Sequence, residues 1–203
     1  MRMVIELAKG FGSAMGRLRK CVRGSQIAEF AIGLPFLMVL LVGIFDFGQV
    51  LNTKQKINNA AREGARFASN QTTLDWSSGA SAPSIAATRA VVDTYLTSAG
   101  LADCGLINAT PSYDSTTETW TYTVSGTPCL GDATHQLVVV IQRAYQYTIT
   151  NGASNIDVIS TKVSITYPLQ WHFASVMKLL LPGSNYTGPI VSVSSNAVMA
   201  NMT

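Results

Sequence analysis

Histidine and cysteine are scarce in this chain, which has 2 histidines and 3 cysteines among its 203 residues. His135 and His172 stand alone, without the neighbouring ligands, nucleophiles or acids that a metal site or a catalytic triad requires at defined spacing. We therefore expect no catalytic site, no metal and no other cofactor, and we predict that the chain is not an enzyme.

Charged residues are also few, at 12% of the chain, and they are unevenly distributed. Residues 1–24 hold six of the 14 basic residues but only one of the 11 acidic ones, so the rest of the chain is net negative. Binding to nucleic acid needs a basic surface on the folded domain. The body of this chain lacks that composition, so we expect no nucleic-acid partner.

Between residues 30 and 45 there is no charged side chain, and only Asp46 interrupts the apolar run before Leu51. A membrane-spanning helix needs roughly 17–25 apolar residues, so the spanning part is predicted at about residues 27–50. The basic leader, residues 1–24, would stay in the cytoplasm and the body would lie outside it. A cleaved secretory signal is the alternative, but the run is long and no small-residue cleavage site follows it.

The helix is predicted to continue beyond the apolar run, over residues 25–68, for a total length on the order of 65 Å. In its second half Ala60, Gly64 and Ala68 recur every four residues and form a smooth stripe. Such a stripe favours close packing, so we expect Gly64→Leu to be harmful and Gly64→Ala to be tolerated. Pro35 is expected to kink the helix.

The remaining residues, 69–203, are predicted to form an α+β domain. Residues 69–83 are rich in loop-forming residues, and Ser84 is a candidate cap for a helix from Ile85 to Ala99 that ends at Gly100. We expect the inner side of that helix to carry Ile85, Val91, Val92, Tyr95 and Leu96.

The second part of this domain has the alternation of β-strands. Strands are predicted at 118–124, 137–150, 156–167 and 189–199, with Asn151-Gly152 as a hairpin turn, Pro168 closing the third strand, and Trp171 to Leu181 as a short helix or bend. The fold class that follows is α+β, with a small antiparallel sheet packed on the outer half of the long helix.

Several motifs resemble the TadE-like family, the minor pseudopilins of tight-adherence (Flp-type) type IV pilus systems. The resemblance covers residues 24–68 and 157–199. Four blocks of sequence carry its N-terminal part: Gly24-Ser25-Gln26-Ile27-Ala28-Glu29-Phe30, Leu34-Pro35, Gly43-Ile44-Phe45-Asp46-Phe47-Gly48 and Asn59-Ala60-Ala61-Arg62-Glu63-Gly64-Ala65-Arg66. The last of these blocks is the most specific.

The resemblance implies a pilin-like fold and cleavage between Gly24 and Ser25 by a prepilin peptidase, which would remove the leader. Glu29 and Phe30 would become residues five and six of the mature chain. Glu29 is then expected to pair with the terminal amine of a neighbouring subunit, because an unpaired carboxylate in hydrocarbon is costly. Alternatively, Glu29 reaches back to the cytoplasmic interface.

The implied function is structural, in initiating or regulating assembly of a pilus used for surface adhesion. The implied partners are the prepilin peptidase, other pilins and pseudopilins, the inner-membrane assembly platform and membrane lipid. The protein would cross the bacterial inner membrane once, with its C-terminal domain in the periplasm, and its entry into the fibre is left open. The rival interpretation is an uncleaved, membrane-tethered extracytoplasmic binding protein.

Four charged residues of these motifs allow two interpretations each. Asp46 is either a second intramembrane pairing group or the mark of the outer edge of the apolar segment, where water reaches. Arg62, Glu63 and Arg66 either contact partner subunits or belong to a solvated helix face on which Glu63 pairs with Arg66.

Two cysteines lie in the predicted extracytoplasmic body, where the compartment is oxidising. Cys104 and Cys129 both flank turn-forming residues, so we predict a disulfide between them, with two buried thiols as the alternative.

Overall fold

The computed structural model describes residues 22–125, 129, 135–151, 154–171 and 190–202. The leader up to residue 21, Gly152 of the predicted hairpin turn, and the predicted helix or bend after Trp171 lie outside the described residues.

One long helix, α1 (Val22–Ser69), forms the N-terminal element and continues through Pro35 without interruption, where we expected a kink. Its bounds differ by three residues at the start and one at the end from those predicted. It ends where the Ser69 hydroxyl and the Asn70 amide both donate to the carbonyl oxygen of Arg66, at 2.9 and 3.1 Å. These side chains replace the intrahelical partners that carbonyl groups lack at a helix C-terminus.

The second helix, α2 (Pro83–Ser98), begins with a proline, whose fixed φ suits the first helical position. Ser84 does not cap it as predicted. Instead, the Asp75 carboxylate, nine residues earlier, accepts bonds from the Ser84 backbone N–H and hydroxyl at 2.7 and 3.0 Å. A carboxylate at a helix N-terminus also complements the helix dipole, so Asp75 ties the preceding loop to α2.

The inner face of α2 is narrower than predicted. Ile85, Val92 and Leu96 are buried, but Tyr95 is 40% exposed and Val91 is half-buried. Gly100 ends the helix with φ of +73°, and the Leu101 N–H donates to the Leu96 carbonyl oxygen at 2.9 Å. A left-handed glycine with this bond is a usual way to terminate a helix.

The described strands form one antiparallel sheet in the order β1-β2-β3-β4-β5, each strand pairing with the next along the chain. Their bounds are β1 (Ser112–Asp114), β2 (Thr119–Val124), β3 (Leu137–Asn151), β4 (Ser154–Gln170) and β5 (Ile190–Ala200). The short β1 was not predicted. The α+β fold, with an antiparallel sheet and a long N-terminal apolar helix, is confirmed.

Pro168 does not close β4 as predicted, since the strand continues to Gln170. The pairing of β3 with β4 extends no further than Val138 opposite Thr166, whereas β5 continues to pair with β4 beyond Pro168. Pro168 therefore lies where β4 has a neighbour on only one side. A proline, which cannot donate a backbone hydrogen bond, is tolerated at such a position.

The core lies between the sheet and the two helices. Alternate β4 residues from Thr161 to Leu169 are buried, together with Leu137, Val139 and Ile141 of β3. Opposite them are the small residues of α1 and the inner side of α2. In this way the sheet covers the second half of α1, and the first half extends beyond it.

Arg143 lies at a β-bulge between Gln142 and Tyr145 and has no exposed surface. Its guanidinium stacks over the Trp76 ring at 5.4 Å and donates to the Gln71 carbonyl oxygen at 2.9 Å. Burial lowers the pKa of Arg143, and the Asp75 carboxylate acts in the opposite direction. Arg143 therefore joins the loop that follows α1 to the sheet.

Substitution of Gly64 is the sharpest test of this packing. A Cβ at Gly64 would lie 2.6 Å from Cγ2 of Val92, which is fully buried, so the helix or Val92 must shift. This close approach argues against our expectation that Gly64→Ala is tolerated. The gain in helix propensity is about 1 kcal/mol, and overpacking costs about 1–3 kcal/mol. We predict that Gly64→Ala lowers the melting temperature of the full chain in detergent, and Gly64→Leu lowers it further.

The matched control is Gly48→Ala, because a Cβ at Gly48 meets nothing within 4 Å. It should leave the melting temperature unchanged or raise it. The Val92→Ala substitution should relieve part of the cost of Gly64→Ala in the double variant. An equal or higher melting temperature for Gly64→Ala alone would contradict the close approach of the two helices.

Candidate functional site

The first half of α1 presents large apolar side chains over most of its circumference, except for the half-buried side that includes Val39, Val42 and Asp46. Most of them are exposed by between 40 and 80%: Ile27, Phe30, Ile32, Leu34, Phe36, Leu37, Met38, Leu40, Leu41, Ile44, Phe45, Phe47 and Leu51. The segment is long and apolar enough to cross a membrane, by length and composition. This helix fits a single-pass membrane protein, and it is the surface that any functional interpretation must explain.

The predicted processing residues lie at the beginning of this half. Gly24 and Ser25 belong to the first turns of α1, which starts at Val22. Glu29 follows on an exposed part of the helix, next to Phe30, which is 64% exposed. The structure thus places the carboxylate and the apolar surface on the same accessible segment.

Asp46 differs from its neighbours on α1 because it is only 3% exposed, although Phe45 and Phe47 on either side are 76% and 60% exposed. Charge at this depth of an apolar segment is costly unless the protein surrounds it with polar partners. Its burial shows that the protein itself shields this carboxylate from water, a point that hydropathy alone did not predict.

The small-residue stripe of α1 is used inside the subunit. Ala60, Ala61, Ala65 and Ala68 have no exposed surface, and Gly64 lies against Val92 of α2 and Val163 of β4. Small residues allow the backbones to approach closely. The stripe is therefore the packing surface for α2 and the sheet, and it is not open to a partner helix.

Arg62 and Arg66 lie on the opposite, exposed side of α1. Nη1 of Arg66 is 3.9 Å from Oε2 of Glu63, and the two side chains are 70% and 37% exposed. An exposed pair of this kind contributes only a few tenths of a kcal/mol. Glu63 also borders a shallow groove of about 360 Å³ against α2, lined further by Ala90, Val91, Thr94 and Tyr95.

Within the described residues, no group of three or more histidine, cysteine, aspartate or glutamate side chains is placed to hold a metal ion. His135 is described and forms part of an interaction, whereas His172 lies outside the described residues. The candidate site is the exposed apolar half of α1.

The comparisons with known proteins bear on this same helix. Residues 24–66 match the model of the TadE-like protein family. The resemblance is confirmed for this segment, whereas its second part, residues 157–199, stays a prediction. The matched segment begins at the predicted cleavage site and ends at Arg66, so it takes in the exposed apolar half of α1 and the buried stripe up to Ala65. No curated protein and no solved structure matches the chain significantly.

The body contributes one covalent link. Cys104 and Cys129 form a disulfide with their Cα atoms 5.2 Å apart, and they are 4% and 8% exposed. Cys104 has φ of +57° and precedes Gly105, also in the left-handed region, so a tight turn presents its side chain. The bond ties the loop after α2 to the segment before β3. A loop of 25 residues is stabilised by about 3 kcal/mol when closed.

The disulfide predicts that neither body cysteine has a free thiol to label. When the unreduced protein is denatured and alkylated, intact mass spectrometry should show no label on Cys104 or Cys129. Cys21 of the leader serves as an internal control, because it takes one label only if the leader is still attached. Labelling of both body cysteines without reductant would reject the bond. The Cys104→Ser variant should lose about 3 kcal/mol of unfolding free energy.

Proposed function

We propose that the chain is a minor pseudopilin of a tight-adherence (Flp) type IV pilus system, with a structural role in initiating or regulating pilus assembly and hence in surface adhesion. One observation carries the proposal. A single uninterrupted helix, TadE-like over residues 24–66, is exposed and apolar in its first half and buried under its own sheet in its second half.

The division of α1 supports this role physically. Exposed apolar side chains over most of a helix surface must be covered by lipid or by other apolar helices. The second half cannot serve that purpose, since the sheet and α2 already cover its stripe. The globular body is therefore carried rigidly on a helix that can exchange lipid for neighbouring subunits.

The chain organisation in this proposal follows the family. Residues 1–24 are a cytoplasmic leader that a prepilin peptidase removes after Gly24, residues 25–68 form the anchoring helix, and residues 69–203 form the periplasmic domain. Other pilins and pseudopilins, and the assembly platform of the inner membrane, are the proposed partners. Glu29 pairs with the new terminal amine of a neighbouring subunit, which fixes the axial register.

The rival is an uncleaved, membrane-tethered binding protein with the same fold. The N-terminus of the mature protein distinguishes the two, because a pseudopilin begins at Ser25 and a tethered binding protein begins at Met1. Mass spectrometry of the protein purified from its own membrane decides between them.

Processing should depend on Gly24. The peptidase must bring the backbone close to its catalytic carboxylates, so a bulky side chain before the cut blocks access. We predict that Gly24→Leu leaves the full-length chain in the inner membrane, as measured by mass spectrometry. The control is Gly33→Leu, which lies in the same apolar helix where a Cβ meets nothing within 4 Å, and it should be cut normally. A Gly24→Leu chain that begins at Ser25 would contradict the assigned site.

Glu29 should act in pilus assembly, after the leader has been removed. We predict that Glu29→Ala is processed and inserted into the membrane but fails to support pilus assembly, because the neighbouring amine loses its partner at membrane depth. Electron microscopy of surface pili measures the loss. The exposed acid Asp114 of β1 supplies the control, since Asp114→Ala should leave piliation unchanged. Normal piliation in the Glu29→Ala strain would reject the pairing.

A further inference from the structure

The hairpin of β3 and β4 extends past the rest of the sheet. Pairing of β2 with β3 stops at Gln142, and pairing of β5 with β4 stops at Ser160. Residues 146–151 and 154–159 therefore pair only with each other among the described strands. We call this two-stranded extension the distal ribbon. At about 3.4 Å per residue it is about 20 Å long.

The ribbon points away from the apolar half of α1. The Met202 backbone N–H donates to the Ser69 carbonyl oxygen at 3.1 Å, so the chain that follows β5 lies at the C-terminal end of α1. The ribbon begins at that level, because Ala200 of β5 is opposite Ser160 of β4. It thus occupies the end of the molecule opposite the anchoring segment.

One face of the ribbon is apolar and exposed. Tyr147 is opposite Val158 and Ile149 is opposite Ile156, so their side chains share a face. Tyr147, Ile149 and Ile156 are 52%, 46% and 54% exposed. The other face carries Thr148 bonded to Asp157 at 2.6 Å and Thr150 bonded to Asn155 at 3.2 Å, with Ile159, 57% exposed, at its base.

The apolar face is not an extension of the core. In β4 the odd-numbered residues from Thr161 to Leu169 face α1. Ile156 and Val158 are even-numbered, so they lie on the other face of the strand, together with Lys162. No described helix or strand covers that side. A two-stranded ribbon is marginally stable in water by itself, so an exposed apolar face on it indicates a partner.

The β4 edge of the ribbon is also open beyond Ile159, whose carbonyl oxygen already accepts from Asn201. Asn201 donates its N–H to the Ile159 carbonyl oxygen at 3.1 Å, so the backbone groups of Ile159 point away from β3. Outward-pointing residues alternate in an antiparallel strand, which adds Asp157 and Asn155 to the same edge. The ribbon has no proline or lysine of the kind that protects edges from pairing.

The size of the apolar face argues against a folded partner on that face alone. Three half-exposed side chains offer roughly 300 Å² in total, against about 800 Å² per partner in a stable interface. An added strand instead supplies main-chain hydrogen bonds along an edge and places alternate side chains on the apolar face. The available area and the open edge both suit a strand.

A second copy anchored at the same height cannot supply that strand. If two copies paired the edges of their ribbons, the centres of the two ribbons would be about 10 Å apart. Just below its ribbon, however, each copy carries a sheet of five strands that is about 24 Å wide. The sheets would collide before the ribbons could pair. The occupant is therefore a segment of a different protein.

We propose that the distal ribbon binds an extended segment of another protein, which adds as a strand along the β4 edge with apolar residues at alternate positions. This inference goes beyond the proposed function, since it holds whether or not the leader is removed or the chain enters a fibre. It requires the described ribbon, its open edge and its apolar face, and copies of the chain that are anchored at the same height.

The test uses the full chain in detergent and a fluorescent probe peptide of alternating threonine and valine with lysine at each end. Fluorescence anisotropy should show saturable binding, weakened at least about tenfold by Ile149→Lys or Ile156→Lys. The matched control is Ile107→Lys, because Ile107 is 43% exposed and lies outside the ribbon. All variants must keep the melting temperature of the parent.

A second probe peptide, N-methylated at alternate residues, removes the donors that an added strand needs. It should bind at least about tenfold more weakly than the first. Equal binding of the two peptides would show a merely apolar surface and overturn the proposal, as would the absence of saturable binding. A photoreactive phenylalanine in place of Tyr147 adds a check in the native membrane. Cross-links only to lipid or to the ribbon of a second copy would also overturn it.

Discussion

The close approach of α1 to α2 and β4 is the constraint on which the rest of the structure depends. At Gly64 the helix surface has no side chain, and Val92 and Val163 fill the space. The alanines on either side, Ala60 and Ala68, keep the surface equally smooth, so the sheet and α2 can settle directly on the helix backbone. A bulkier residue at the centre of this contact would separate all three elements at once.

This contact also explains why the two halves of α1 have different surfaces. Where the sheet and α2 cover it, α1 buries a stripe of small residues. Where they do not, it exposes large apolar residues, and only lipid or other apolar helices are suitable neighbours. The body is thus held rigidly at a set distance from whatever embeds the first half. Asp46 lies near the junction, and the protein shields it from water even there.

At the C-terminal end of α1 the packing depends on a buried arginine rather than on small residues. Arg143 at the bulge fastens the loop after α1 through the Gln71 carbonyl and the Trp76 ring. Beyond the bulge no described helix lies behind the sheet, and the hairpin continues as a ribbon with one apolar face. A bulge commonly marks such a change, because it interrupts the pairing and redirects the strand. The described residues therefore carry a large apolar surface on the first half of α1 and a smaller one at the opposite end.

Much of the fold follows from local properties of the amino-acid sequence. The charge-free run from residue 30 to 45 and the four-residue spacing of Ala60, Gly64 and Ala68 specify the long helix, and alternation specifies β3, β4 and β5. These signals are periodic and need no knowledge of distant contacts. The family motifs added the TadE-like segment, which begins at Gly24.

Other features were decided only by residues far apart in the chain. Asp75 rather than Ser84 caps α2, because the loop folds back to the helix. Pro168 stays inside β4, because β3 has already ended on that side. The burial of Asp46 and Arg143 depends on which parts of the chain fold over them. Gly64 could be recognised from sequence as part of a packing stripe, but the tertiary structure alone brought Val92 close enough to exclude even a methyl group there.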